Sequence, residues 1–257
     1  MTRRFEFIGL RTLLGREIHR FLRLPNQTLL PPIITASLYI VIFGFALSKR
    51  ISPVEGISYE LYIIPGLIMM SIISASFGNT SSSVFSARLQ GFIQELLVSP
   101  MSNFEIVLAI ILGGVVRGIV VGALVTVTCI FLADVPIHHP GPIILFAVSV
   151  ATIFSCAGFI SAMWAQDFDR LSVFQNYVLT PLTYLGGVFF SVNWLDPFWQ
   201  NIAKVNPILY FVNGLRYGFL GVSDVNLWGA AGFAIVAAVG IFFLCYHLFR
   251  IGYNIKT

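Results

Sequence analysis

Residues 94–134 read QELLVSPMSNFEIVLAIILGGVVRGIVVGALVTVTCIFLAD. The run opens on a short polar segment, and between Glu105 and Asp134 it carries one charge, Arg117. A hydrocarbon core about 30 Å thick needs roughly 20 apolar residues of helix, so this stretch predicts a membrane span with a defined start. Ser102 and Glu105 have capping-box spacing, and Met101 and Ile106 are placed to staple across the first turn. Gly114, Gly118 and Gly122 recur every fourth residue on one face, a spacing that lets another helix approach closely.

The pattern repeats on both sides. TLLPPIITASLYIVIFGFAL, between Arg23 and Lys49, predicts a first span with Pro31 and Pro32 in its opening turns, where missing donors cost least. A polar turn with Lys49, Arg50, Glu55 and Glu60 precedes a second span, Leu61 to Ala87, with Tyr59 and Tyr62 as interfacial anchors. After the third span, the turn DVPIHHPGP leads to a fourth at about 143–164, ending on Trp164 and the charged link QDFDR. A fifth span, Leu171 to about Val192, contains LTPLTYLGGVFF, and a sixth runs from about Leu227 to Phe249.

The expected fold class is therefore an all-α membrane protein with six transmembrane helices, organised as one transmembrane domain over 1–257. Composition agrees: 57% of the residues are hydrophobic and 10% charged, with mean hydropathy +0.88, values that exclude a soluble globule. Residues 3–23 place Phe7, Leu10, Leu14, Ile18 and Phe21 at steps of three and four with the arginines off that stripe, which predicts an interfacial amphipathic helix drawn to membrane lipids. Residues 193–224 are aromatic-rich but broken by Lys204, Pro207 and Arg216, so they read as two outer, re-entrant half-helices. Asn206-Pro207 can start the second of them, and Arg216 can satisfy its carbonyls.

Orientation follows from Lys and Arg. Arg3, Arg4, Arg11, Arg16, Arg20, Arg23, Arg88, Arg170, Arg250 and Lys256 fall on the side of the termini, against Lys49, Arg50, Lys204 and Arg216 on the other. Both termini are expected in the cytoplasm of a multi-pass inner (plasma) membrane protein. A net charge of +4 concentrated this way reads as topology rather than as a nucleic-acid surface.

Chemistry is sparse. The three lysines, Lys49, Lys204 and Lys256, follow no glycine-rich loop, so no phosphate-cradling motif is present. Cys129, Cys156 and Cys245 lie in apolar runs without metal-ligand spacing, and His138-His139 sits in a Pro-Gly turn without a third ligand. No catalytic set is visible. Arg117 lies about 12 residues beyond Glu105, roughly 18 Å at helical rise and too deep for easy snorkelling. It either lines or gates a translocation path or is satisfied by carbonyls within the bundle. Glu95, Leu96, Leu97 and Val98 form a short amphipathic turn that Ser99 and Pro100 stop before the third span; with Gln94 and Pro100 it suits a partner's groove or an ordinary connection.

Three segments resemble ABC type-2 transporter permeases: Glu95-Leu-Leu-Val-Ser-Pro100, Leu179-Thr-Pro-Leu-Thr-Tyr-Leu-Gly-Gly-Val-Phe-Phe190, and Asn206-Pro207 followed by Arg216. The resemblance covers nearly the whole chain. It implies an exporter built as a homodimer or pseudo-dimer of six-helix subunits, consistent with the glycine face. Each protomer would dock through a 94–104 coupling helix on an ATP-binding cassette subunit, two copies in all. ATP and Mg would sit on those subunits, and this chain would bind no cofactor. It also implies that Thr180, Pro181, Tyr184, Gly186 and Gly187 flex or line the path at the dimer centre. Sparse charge within the spans suits an amphipathic or lipid-like cargo, such as a lipid-linked glycan or a drug. The rival readings are a self-sufficient secondary transporter or channel, which lacks a deep carboxylate to carry ions, and a membrane-embedded enzyme, which lacks a reactive set.

Overall fold

The computed structural model describes residues 7–47, 51, 53–54 and 56–254. Arg3, Arg4, Lys49, Arg50, Glu55 and Lys256, which enter the orientation count or the first outer turn, lie outside these residues. The described chain is helical apart from loops and one isolated antiparallel bridge, Val54 to Ile57. In order, the helices are α1 (Phe7–Leu22), α2 (Pro25–Thr28), α3 (Leu30–Tyr39) continued by a π-helical segment (Ile40–Leu47), α4 (Tyr59–Leu89), α5 (Phe92–Val98), α6 (Asn103–Ala133) and α7 (Pro140–Trp164). There follow α8 (Phe168–Val173), a second π-helical segment (Phe174–Leu179), α9 (Thr180–Leu185), a 3-10 turn (Val192–Trp194), α10 (Pro197–Val205), α11 (Pro207–Leu220) and α12 (Leu227–Arg250).

Among the described residues, five helices are long and apolar enough to cross a membrane: Pro25–Gly44, α4, α6, α7 and α12. The start of α6 is set locally, because Ser102 accepts from the Glu105 amide at 3.3 Å while Glu105 accepts from the Ser102 amide at 2.7 Å. The expected span from Leu171 to about Val192 takes a different form, with α8, the π segment and α9 in succession, ending at Leu185. Pro181 is the local cause, since it has no N–H to donate and the amide of Thr180 reaches back to Gln175 in a widened turn. The stop comes from Gly186-Gly187, where Gly187 adopts φ +72° and a Cβ on Gly186 would meet Ile208 at 2.6 Å. These glycines end the helix rather than loosen it.

α4 is the hub. It packs on α6, α7 and α11, and 72% of its most apolar stretch is buried, against 17% for both Pro25–Gly44 and α12. The glycine face of α6 is used inside the protomer. A Cβ at Gly114 would collide with Thr80 and Ser155, and one at Gly118 with Ser76. At Gly122 it would stand 2.6 Å from Ile72. The close approach is thus between α6 and α4, with α7 beside them, and the dimer inference loses its glycine support. Gly118→Val is expected to cost about 1–3 kcal/mol through overpacking, read as a lowered unfolding midpoint in detergent, with Gly232→Val on the open side of α12 as the neutral control.

α1 buries Leu13, Glu17 and Phe21 against the bundle, while Phe7 and Ile8 are exposed. The buried stripe is therefore rotated from the one read in sequence and carries a carboxylate. Gly113 makes room for it, since a Cβ there would lie 2.6 Å from Glu17 Cβ. At the α5 end, Arg88 Nη1 donates to the carbonyls of Ala162, Met163 and Ala165 at 2.6, 2.9 and 3.0 Å. The last turn of α4 is thereby tied to the C-terminus of α7, a favourable site for a cation.

Candidate functional site

At the α11 end, a buried polar lock joins four segments. Asn206 caps α11, accepting from Ile208 N at 3.0 Å and donating to Leu182 O at 2.6 Å, with Pro207 at the first helical position. Arg216, 1% exposed, donates to Gly187 O at 2.7 Å and to Asn213 Oδ1 at 3.1 Å. Its guanidinium lies 3.9 Å from the centre of the Tyr62 ring and 3.8 Å from Asp224 Oδ2. Tyr62 and Ser191 donate to the same carboxylate oxygen at 3.2 and 3.3 Å. Arg216 thus serves the Gly186-Gly187 turn and the linker before α12. His138 and His139 donate their amides to Gly218 O at 3.1 and 2.8 Å, which ties the loop before α7 to the end of α11.

Beside this lock, α9 meets the first span through aromatic rings. The hydroxyls of Tyr39 and Tyr184 are 3.3 Å apart. Phe189 packs on Tyr39, Phe43 and Tyr184 at centroid distances of 5.3, 5.2 and 5.8 Å. Both partner segments adjoin a π-helical stretch, Ile40–Leu47 on one side and Phe174–Leu179 on the other. π-helical turns are rare and occur frequently at functional sites. Of the predicted path residues, Tyr184 enters this cluster. Thr180 donates its hydroxyl to Gln175 O at 3.0 Å within the widened turn.

Arg117 is elsewhere, half-buried on α6 and close enough to Arg20 for the two charges to repel. Its Nε is buried without a partner, and no hydrogen bond or ion pair joins Arg117 to a described residue. Carbonyl satisfaction is therefore not seen among them. The faces of α4 and α7 toward α6 hold further unpartnered buried polar atoms: Ser76 Oγ, Asn79 Nδ2 and Thr80 Oγ1 on α4 and Ser155 Oγ on α7. Buried polar groups are nearly always paired, so a seam of unpaired ones is unusual in a bundle core.

The predicted docking residues divide. Ile93 is buried, and Leu96 and Leu97 pack against the main core. Gln94, Glu95, Val98 and Pro100 are exposed, Val98 at 82%. Leu89 and Phe92 extend this exposed edge. Gln94 and Gln166 line one small cleft with Arg88, so the 165–170 link stands beside α5. Sequence reasoning missed Glu17, Asn213, Asp224, Phe43 and Phe189 as members of these clusters. The one local signal was the Glu17–Arg20 spacing, realised as an ion pair at 3.2 Å.

Long apolar helices with a short helix between two of them define a polytopic membrane protein. The sequence matches the ABC-2 type transporter family over residues 9–220, and the chain belongs to that family. It is similar to the inner membrane transport permease YadH of Escherichia coli K12, at 43% identity over 251 residues covering 98% of each chain. Weaker likeness extends to nodulation protein J of Rhizobium meliloti, 25% identical over 217 residues, 83% of this chain and 82% of that one. Nodulation protein J of Neorhizobium galegae is 26% identical over 196 residues, 74% of each.

Proposed function

We propose that this chain is the membrane-spanning subunit of an ATP-driven exporter in the inner membrane, with both termini in the cytoplasm. α5 is its coupling helix, docked on an ATP-binding cassette subunit that carries ATP and Mg. Two copies of each subunit make the working unit, and one transmembrane domain spans the whole of this chain. The carrying observation is the exposed apolar edge of Leu89, Phe92 and Val98 beside the 165–170 link. Apolar side chains on a projecting helix gain most when a partner covers them.

In this reading α8, the π segment and α9 supply a sixth crossing, and α10 and α11 are outer half-helices that dip back into the bundle. Homodimerisation through the α3 and α8–α9 side is supported by Asn176 and Tyr177, polar groups left exposed on a helix otherwise bathed in lipid. ATP-driven closure of the partners would move α5. Arg88 would pass that motion to α7, and the two π segments would let the first and fifth crossings part at the Tyr39–Tyr184 contact. The cargo is amphipathic, a lipid-linked glycan or a drug, because the path offers aromatic faces and few charges.

The test is purification of the chain in mild detergent from its native membrane. A co-purifying ATPase in equal amount, hydrolysing ATP, is expected. Isolation without any ATPase, together with transport driven by an ion gradient in proteoliposomes, would overturn the proposal.

A further inference from the structure

The last turns of α4 and the second half of α1 flank an open cleft of about 990 Å³. Its α1 side carries Arg16 and Arg20, with the exposed Arg23 just past the end of the helix, against one carboxylate, Glu17. That carboxylate is divided between Arg16 at 3.5 Å and Arg20 at 3.2 Å. Arg20 is also committed to Asn79 O at 2.7 Å, Asn79 Oδ1 at 3.1 Å and Ser82 Oγ at 3.1 Å, which makes it a strut between α1 and α4. Arg23 makes no side-chain hydrogen bond or ion pair with any described residue. Across the cleft stands Ser83, 6% exposed, whose hydroxyl has no partner among the described residues. Ser86, one turn closer to the end of α4, also offers a hydroxyl with no such partner.

An unpaired guanidinium, a second that shares its carboxylate, and two free hydroxyls on the facing wall make a donor-rich, positively charged recess without its acceptor. A compact anion with several oxygens would complete it, and arginine suits phosphate in particular. The rim supplies the second half of the ligand. Leu24 is 53% and Phe92 42% exposed where they border the cleft, and the wall itself is the terminus of a membrane-crossing helix.

We propose that this cleft is a binding site for the phosphate of an anionic phospholipid headgroup, whose acyl chains leave along the apolar rim. With the termini cytoplasmic, the lipid comes from the inner leaflet, where anionic headgroups draw basic segments. The bound lipid would clamp α1 to α4 next to the coupling helix.

The test uses the detergent-purified chain with whatever subunits accompany it, titrated with phosphatidylglycerol, with diacylglycerol and with inorganic phosphate, and read by native mass spectrometry. Phosphatidylglycerol is expected to bind at least about tenfold more tightly than diacylglycerol. Arg23→Gln combined with Ser83→Ala is expected to remove about tenfold of that affinity with the unfolding midpoint unchanged, since neither side chain is used within the fold. Arg250→Gln, at the end of α12, should bind as the parent does. The site is disproved if the double variant keeps full affinity, or if Arg250→Gln loses as much. Displacement of the lipid by millimolar inorganic phosphate would assign the site to a soluble phosphate instead and overturn the lipid proposal. None of these readouts requires transport, so they stand apart from the exporter reading.

Discussion

Arg216→Met is expected to destabilise the protein by about 3–5 kcal/mol, the usual cost of leaving a buried charge without its partner. The arginine is 1% and the Asp224 side chain 4% exposed. Without the guanidinium, the carboxylate keeps only two hydroxyl donors among the described residues, from Tyr62 and Ser191, while the Asp224 backbone N–H still donates to Asn213 Oδ1 at 3.0 Å. Gly187 O, which accepts from Arg216 at 2.7 Å, loses that donor at a turn with positive φ. Arg216→Lys should fall between, because an ammonium cannot span Gly187 and Asn213 as the planar fork does. Adding Asp224→Asn to Arg216→Met should recover part of the loss by removing the orphaned charge. Denaturant titration in detergent of the two single variants and the double gives the coupling directly, expected at 0.5–3 kcal/mol. A cost below about 1 kcal/mol for Arg216→Met would mean that water reaches the cluster and that it does not hold α11 in place.

How far the sequence announced this arrangement depends on the range of the interaction. Helix starts such as Ser102–Glu105 were legible because the partners are three residues apart. The long spans were legible because a bilayer demands length and apolarity before any tertiary contact forms. The segment from Leu171 was harder, since a proline in a membrane helix can kink, widen or end it, and the outcome at Pro181 depends on Ile208 packing against Gly186. The glycine face of α6 announced a close approach but not the neighbour, which proved to be α4 of the same protomer. Glu17 lies off the apolar stripe read over residues 3–23, yet it is buried. Its burial needs the space left by Gly113, far along the chain. Asp224 and Arg216 sit on different sides of a helix end, and only the folded loop brings them within 3.8 Å.

Val98→Asp is expected to strip the partner ATPase from the complex while leaving this chain folded. Val98 is 82% exposed, so a carboxylate there loses no internal packing and should shift stability by no more than about 0.5 kcal/mol. In the docked state the same side chain would be covered, and a charge placed in an apolar contact centre costs about 2–4 kcal/mol of binding, thirtyfold or more in affinity. Leu97→Asp is the instructive contrast. Leu97 packs against the core, so its substitution should lower the unfolding midpoint as well as the ATPase yield and cannot separate docking from folding. Glu95→Lys, exposed on the same helix, should weaken association less and in a salt-dependent way, as a rim charge does. The comparison to make is ATPase recovered per mole of chain for the parent, Val98→Asp and Leu97→Asp, each beside its thermal midpoint. Full ATPase recovery with Val98→Asp would place the docking surface elsewhere, with the 165–170 link as the next surface to probe. Loss of ATPase at an unchanged midpoint would locate the contact on the exposed edge of α5, the one part of that helix the bundle leaves uncovered.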